Sequence, residues 1–153
     1  MNLLLDTQTL LWFVLDDPRL SKKARKNIVA IDTVVFVSPA SLWEIAIKIS
    51  LGKYALPASF ATCWYDQLLT NDFVLLPISV SHTAKVVNLP FHHRDPFDRL
   101  IIAQSLVEEI SVVSSDKLFD LYPPPCVPPS PPLPKSHPLR SLRFSTNALV
   151  DRF

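Results

Sequence analysis

Glycine is almost absent from this chain, in which Gly52 is the one glycine among 153 residues. The phosphate-binding loops of nucleotide enzymes need glycines at fixed spacing, as in G-x-G-x-x-G and G-x-x-x-x-G-K, because the backbone there must approach the phosphates closely. The sequence therefore argues against both a Rossmann dinucleotide site and a P-loop nucleotide hydrolase.

Cysteines, long apolar runs and an excess of one charge are also lacking. Cys63 and Cys126 are too few for a disulfide framework or a four-ligand zinc site, and they favour a reducing compartment. No apolar run reaches the roughly 18 residues of a membrane span, and the first residues lack a basic leader. We therefore expect a soluble, cytoplasmic protein with no membrane partner. Because the net charge is only +1, any contact with nucleic acid must be local.

Proline divides the chain into two regions of different composition. Six of the 15 prolines lie in residues 1–122, whereas nine lie between Pro123 and Pro138. Because proline fixes φ and lacks an amide hydrogen, the second region is predicted to be irregular. The sequence thus predicts one domain at 1–122, followed by a proline-rich C-terminal tail at 123–153.

Short apolar runs alternate with helical patterns along residues 1–122. This alternation is typical of an α/β fold, in which helices cover both faces of a mostly parallel sheet. The four predicted strands are 3–5, 34–37, 73–76 and 110–113. The six predicted helices are 7–15, 21–30, 39–51, 58–69, 80–88 and 96–108.

Four acidic residues fall near the carboxyl ends of the predicted strands. Asp6 directly follows the first strand, and Asp116 follows the fourth. Asp98 lies in the first turn of a predicted helix, and Glu44 lies about one turn into another. Helices that follow parallel strands begin at that same edge. Since open α/β sheets bind ligands at this edge, the four acids are candidates for one site.

Each of these acids also has a purely structural interpretation. Asp95 and Asp98 resemble an N-cap and an acid in the first helical turn, and Ser41 with Glu44 matches a capping box. Glu44 could instead pair with Lys48 one turn later. The two acids at strand ends could likewise cap the turns that follow them.

The apolar surroundings of Glu44 and Asp98 favour a functional role. Their helices are rich in Leu, Ile and Phe, and a buried carboxylate must either lose its charge or find a cation. Carboxylates about 5 Å apart repel by roughly 3 kcal/mol per pair at an effective dielectric of 20. Oxygen ligands suit Mg²⁺ or Mn²⁺, and such an ion promotes phosphodiester hydrolysis. The pattern does not choose between one ion and two.

Five short blocks follow one another along residues 1–122. They are Leu5-Asp6-Thr7, Val37-Ser38 with Ser41 to Lys48, Leu51-Gly52-Lys53, His92 to Arg99 and Ser114-Ser115-Asp116. Together these blocks resemble PIN-domain toxins, and most closely the VapC-type ribonucleases of toxin–antitoxin pairs. The resemblance covers about residues 1–122.

This resemblance implies a three-layer α/β/α fold with a parallel sheet of four or five strands. It implies an endoribonuclease that depends on Mg²⁺ or Mn²⁺, a homodimer, and inhibition by a cognate antitoxin. Carried over by position, the catalytic and metal-binding acids are Asp6, Glu44, Asp98 and Asp116, and the supporting hydroxyl is that of Ser114.

Two departures from the family pattern stand out. Gln8 occupies a position where close relatives often have His. We expect this difference to affect the choice of substrate more than metal binding. After Tyr122 the family usually adds one more apolar strand, whereas this chain continues into proline. The last edge strand is therefore predicted to be absent or displaced to 139–144, and a shifted reading frame would explain the change.

Two arginines beside Asp98 are candidates for RNA contacts. Arg94 and Arg99 could bind phosphate, or they could balance the charge of the acids. Two rival functions remain open from the sequence: a catalytically impaired protein that binds antitoxin, and a DNA nuclease of the same superfamily.

Overall fold

The computed structural model describes residues 1–56 and 58–122. The predicted tail at 123–153, including the proposed displaced strand at 139–144, lies outside the described residues. The strands are β1 (Asn2–Leu5), β2 (Val34–Val37), β3 (Val74–Leu75) and β4 (Ser111–Val113). The helices are α1 (Thr7–Val14), α2 (Lys22–Ile28), α3 (Pro39–Ser50), α4 (Phe60–Thr70), α5 (Val80–Val87) and α6 (Pro96–Glu108), with a 3₁₀ helix at Lys117–Leu121.

The four strands form one parallel sheet in the order β3-β2-β1-β4. In the central strand β1, Leu3 pairs with Val35 on one side and with Ser111 on the other. The chain thus moves outward from β1 in both directions, and the carboxyl end of β1 is the switch point where such sheets bind ligands. Asp6 is the residue that follows this end.

Alternating side chains of the strands bury the two faces of the sheet. On one face, Leu5 and Val37 pack with residues of α1 and α3, including Leu10 and Ile45. On the other face, Leu4 belongs to a second cluster that contains Ile101 of α6. Because helices cover both faces, the predicted three-layer α/β/α arrangement is confirmed.

Local caps start the helices at the carboxyl edge of the sheet. The Ser38 hydroxyl accepts a hydrogen bond from the Ala40 amide at 3.0 Å, and Pro39 occupies the first helical position of α3. Asp95 does the same for α6, with the Phe97 amide 2.8 Å from its carboxylate. These caps place the first turns of α3 and α6 beside the end of β1.

The predicted elements match the observed ones closely, with two shortened strands, of which β4 lacks only the predicted first residue. β3 has two residues rather than four, because only Val74 and Leu75 pair with β2. The flanking Phe73 and Leu76 are nevertheless buried, as a strand prediction requires. Within the part of the chain that the structure describes, no helix has the length and apolar character needed to cross a bilayer.

Candidate functional site

A cavity of about 310 Å³ opens at the carboxyl edge of the sheet. All four acids selected from the sequence line it, together with a fifth acid, Asp95. Among the described residues of its wall, Lys48 alone carries a positive charge. The remaining lining residues are Thr7, Gln8, Ser115 and Phe119. The cavity is therefore strongly acidic.

Asp6 is both a helix cap and a wall of the cavity. It is 5% exposed, and its Oδ1 accepts a hydrogen bond from the Thr9 amide at 2.5 Å. Its Oδ2 accepts a hydrogen bond from the Ser114 hydroxyl. Burial raises the pKa of Asp6, while the hydrogen bonds from Ser114 and Thr9 oppose that rise. The capping interpretation and the site interpretation thus apply to the same side chain.

Ser114 connects two of the acids. Besides donating to Asp6, its hydroxyl oxygen accepts a hydrogen bond from the Asp116 amide at 3.0 Å. The hydroxyl therefore fixes the turn after β4 against the end of β1. This is the position in which the sequence resemblance placed a supporting hydroxyl.

Glu44 pairs with a lysine instead of forming the predicted capping box. The N-cap of α3 is Ser38, and the Ser41 hydroxyl, inside the helix, has no hydrogen-bond partner. The capping-box prediction is therefore wrong. Glu44 is 9% exposed, and its Oε1 lies 2.5 Å from Lys48 Nζ. Although burial works against the ammonium group, the contact with Glu44 raises the pKa of Lys48.

Asp98 lies where the negative charges of the cavity concentrate. Burial, followed by the charges of Asp95, Glu44, Asp6 and Asp116, raises its pKa to about 7. One carboxylate is thus within electrostatic reach of all the other acids in the wall. An aromatic contact helps to hold α3 beside α6, because Trp43 and Phe97 pack edge to face with centroids 5.3 Å apart.

Asp116 is the most exposed of the four selected acids, with a side chain 47% accessible. Its Oδ1 accepts a hydrogen bond from the Leu118 amide at 2.9 Å and so caps the 3₁₀ helix. Its Oδ2 lies 3.4 Å from Nε2 of the buried His93. Nδ1 of His93 lies 3.2 Å from the Tyr122 hydroxyl.

Sequence reasoning overlooked two neighbours of the acids. The sequence presents Asp95 as a helix cap, yet its charge raises the pKa of Asp98 more than that of any other acid in the wall. His93 enters the sequence analysis only as part of the His92 to Arg99 block, although its Nε2 lies 3.4 Å from Asp116 Oδ2. The adjacency of both residues to Asp98 in the sequence was the available signal.

The two arginines expected beside RNA lie in different environments. Arg99 is 6% exposed, and its guanidinium group donates hydrogen bonds to four backbone carbonyls. These carbonyls belong to Val86, Leu89, Pro90 and His93. Arg99 thus holds the segment before α6 in place. Its guanidinium group is satisfied by these carbonyls, with no contribution from a phosphate or from the acids of the cavity. Arg94 is exposed.

The donor set fits a hard divalent cation. Asp6, Glu44, Asp98 and Asp116 offer oxygen ligands around one cavity. Burial, together with the negative charge of the neighbouring acids, raises the pKa of Asp98. Within the described residues, however, no group of three His, Cys, Asp or Glu side chains is arranged to hold a metal as it stands. Glu44 is paired with Lys48 in this arrangement.

Comparison with known proteins agrees with this architecture. Residues 3–123 match the PIN domain, and the chain therefore belongs to the PIN-domain family. PIN domains are nucleases and generally use divalent metal ions. A search of the curated proteins gave no match.

The fold is similar to that of a chain in a solved structure. That chain belongs to the crystal structure of VapBC2 from Rickettsia felis, which is bound to a DNA fragment from the VapBC2 promoter. The two chains share 17% identity with a TM-score of 0.61, over 80% of this chain and 94% of the other.

Proposed function

We propose that this protein is a metal-dependent endoribonuclease, the VapC-type toxin of a toxin–antitoxin pair. The observation that carries the proposal is the convergence of the acids on one cavity at the switch point of a PIN-domain sheet. A cavity with this charge, in a nuclease family, suits the cleavage of a phosphodiester.

Asp6, Glu44, Asp98 and Asp116 would hold Mg²⁺ or Mn²⁺. When bound, such an ion neutralises charge on a phosphodiester and lowers the pKa of a water ligand. Ser114 and the Thr9 amide keep the Asp6 carboxylate in place through their hydrogen bonds. An acid of the cluster that is not engaged by the ion would orient the attacking water and accept its proton at a carboxylate oxygen.

Substrate binding would use a cation outside the acidic wall. Arg94 is exposed and directly precedes Asp95, which lines the cavity. It is therefore the better candidate for an RNA phosphate contact, whereas Arg99 is occupied by backbone carbonyls. Arg94→Met should raise KM for RNA with little change in kcat.

The partners belong to the same proposal. The similar chain belongs to the VapBC2 structure, and this likeness supports a cognate antitoxin for the present chain. The proposal includes a homodimer, which the family resemblance implies, and a cytoplasmic location, which the low cysteine content favours. Co-expression with the product of a small gene next to this one should give a complex and relieve growth arrest.

The test is cleavage of RNA by the purified protein and its Asp6→Asn variant. Asparagine retains an oxygen that caps α1, so the variant should fold, but it removes the charge. We expect cleavage that requires Mg²⁺ or Mn²⁺ and falls by at least about a hundredfold in the variant. Asp66→Asn, an exposed change on α4, is the control. Equal cleavage and growth arrest by wild type and Asp6→Asn would contradict the proposal.

One observation favours a second candidate, a protein that binds antitoxin without catalysis. No three acids are yet arranged to ligate within residues 1–56 and 58–122, and Glu44 is held by Lys48. This candidate predicts antitoxin binding with no nuclease activity at any concentration of metal. Competition between RNA and DNA in the same assay separates the ribonuclease from a DNA nuclease.

A further inference from the structure

The lysine inside the acidic cavity is the feature that the proposed nuclease chemistry leaves unexplained. Lys48 lines the cavity with Asp6 and Asp98, and its side chain is 29% accessible. Its Nζ lies 2.5 Å from Oε1 of Glu44, one turn earlier on α3. The ammonium group of Lys48 is therefore already paired with one of the four carboxylates assigned to the metal.

An ordinary pair of this spacing stabilises a solvated helix face. The pair Arg19–Asp17 lies in the turn between α1 and α2 rather than on a helix, and its arginine side chain is 65% accessible. The pair at Lys48 differs because Glu44 is 9% exposed and faces other carboxylates. Without a cation nearby, a carboxylate this buried would carry a large desolvation penalty.

We propose that Lys48 is an internal counter-cation that a divalent ion must displace from Glu44. This inference rests on the metal site of the proposed function. The lysine keeps the acid cluster stable when no metal is bound, and it thereby sets the concentration of metal at which the cluster fills. Lys48 is a positioning residue in this account, since it acts through Glu44.

The composition of the cavity wall supports a competition of this kind. Five carboxylates and one lysine line it. The lysine therefore lies in the same negative field that would attract a divalent ion. Because both cations need the Glu44 carboxylate, binding of one weakens the binding of the other.

The experiment measures Mn²⁺ binding to the full-length protein by electron paramagnetic resonance of the free ion, together with thermal unfolding with and without Mn²⁺. The variants are Lys48→Met, which removes the charge, and Lys48→Arg, which keeps it. Lys85→Met removes an exposed charge from α5 and is the matched control.

We expect Lys48→Met to bind Mn²⁺ about fivefold more tightly than wild type, the size expected when a partly exposed ion pair no longer competes. Its metal-free form should unfold at a lower temperature, and Mn²⁺ should raise that temperature more than in wild type. Lys48→Arg and Lys85→Met should both bind Mn²⁺ with nearly wild-type affinity.

Three results would overturn the inference. Unchanged Mn²⁺ affinity in Lys48→Met would show that the lysine does not compete, and weaker binding would show that it orders Glu44 for the metal. Both of these leave the proposed metal site standing. Absence of Mn²⁺ binding to wild type would remove the site itself, together with the inference.

Discussion

Asp98 and Arg99 are neighbours in the sequence, but they lie in opposite electrostatic environments. Asp98 is in a cavity whose wall holds four other acids, and its pKa is raised to about 7. Arg99 is buried among four backbone carbonyls, 4.0 Å from the ring of Phe91. Successive residues of an α-helix differ by about 100° in direction, so the two side chains leave α6 toward different neighbours.

This comparison shows why the acidic cavity retains its surplus charge. Arg99 is the nearest cation in the sequence, but carbonyls hold its guanidinium group and it cannot neutralise Asp98. Lys48 is paired with Glu44. The remaining negative charge is what a divalent ion would compensate.

The largest effect on stability should come from removing Arg99, the cation held by backbone carbonyls. Arg99→Met would leave four buried carbonyls without their donor, and we expect a loss of about 3 kcal/mol or more in the free energy of unfolding. Urea unfolding measures this loss. The control Arg94→Met, at an exposed position, should change stability by less than about 0.5 kcal/mol. Similar effects of the two substitutions would contradict the structural role of Arg99.

Removing the charge of Asp98 from the acidic cavity should instead increase the stability of the protein. The folded-state pKa of Asp98 is about 7, above the unfolded value of about 3.9. Its contribution to stability is therefore fully present below about pH 4 and is lost as the pH rises through about 7. Wild-type protein in EDTA should accordingly become less stable across this range.

Asp98→Asn should reduce that loss. At pH 7.5 in EDTA, we expect the variant to exceed wild type by on the order of 1 to 2 kcal/mol, with a much smaller difference at pH 4. Thermal or urea unfolding at the two pH values gives the comparison, with Asp66→Asn as a surface control. A variant less stable than wild type at pH 7.5 would show that the Asp98 charge is already compensated.

The smallest effect on stability should come from Tyr122, whose hydroxyl supports the segment before α6. Its hydroxyl accepts from the His93 amide at 3.1 Å and donates to the Pro90 carbonyl at 3.3 Å. Tyr122→Phe should cost about 1 kcal/mol in urea unfolding, less than the loss of Arg99. The control is Tyr65→Phe, whose ring is 67% exposed. A loss as large as that of Arg99→Met would shift the main support of this segment to Tyr122.

The fold was largely predictable because its signals are local. Apolar runs such as 34–37, and proline directly after Ser38 and Asp95, specify strands and helix starts without knowledge of distant contacts. The order of parallel strands then brings Asp6 and Asp116 to one edge. The strand at Val74 is shorter than predicted, since pairing depends on its neighbour β2 as well as on its composition.

The roles of individual charges were less predictable because they depend on packing. Nothing in the sequence around Arg99 shows that four carbonyls surround its guanidinium group. Asp95 caps α6, and its negative charge also raises the pKa of Asp98. No local motif encodes this combination. Ser41 and Glu44 matched a capping box, but α3 begins three residues earlier than that motif requires.

The most direct test of the account is a calorimetric titration of Mn²⁺ into wild type and Asp98→Asn at pH 7.5. We predict binding to wild type and at least about tenfold weaker binding to the variant, a difference of about 1.4 kcal/mol. Equal affinities, or no binding to wild type, would contradict the claim that these acids form a metal site.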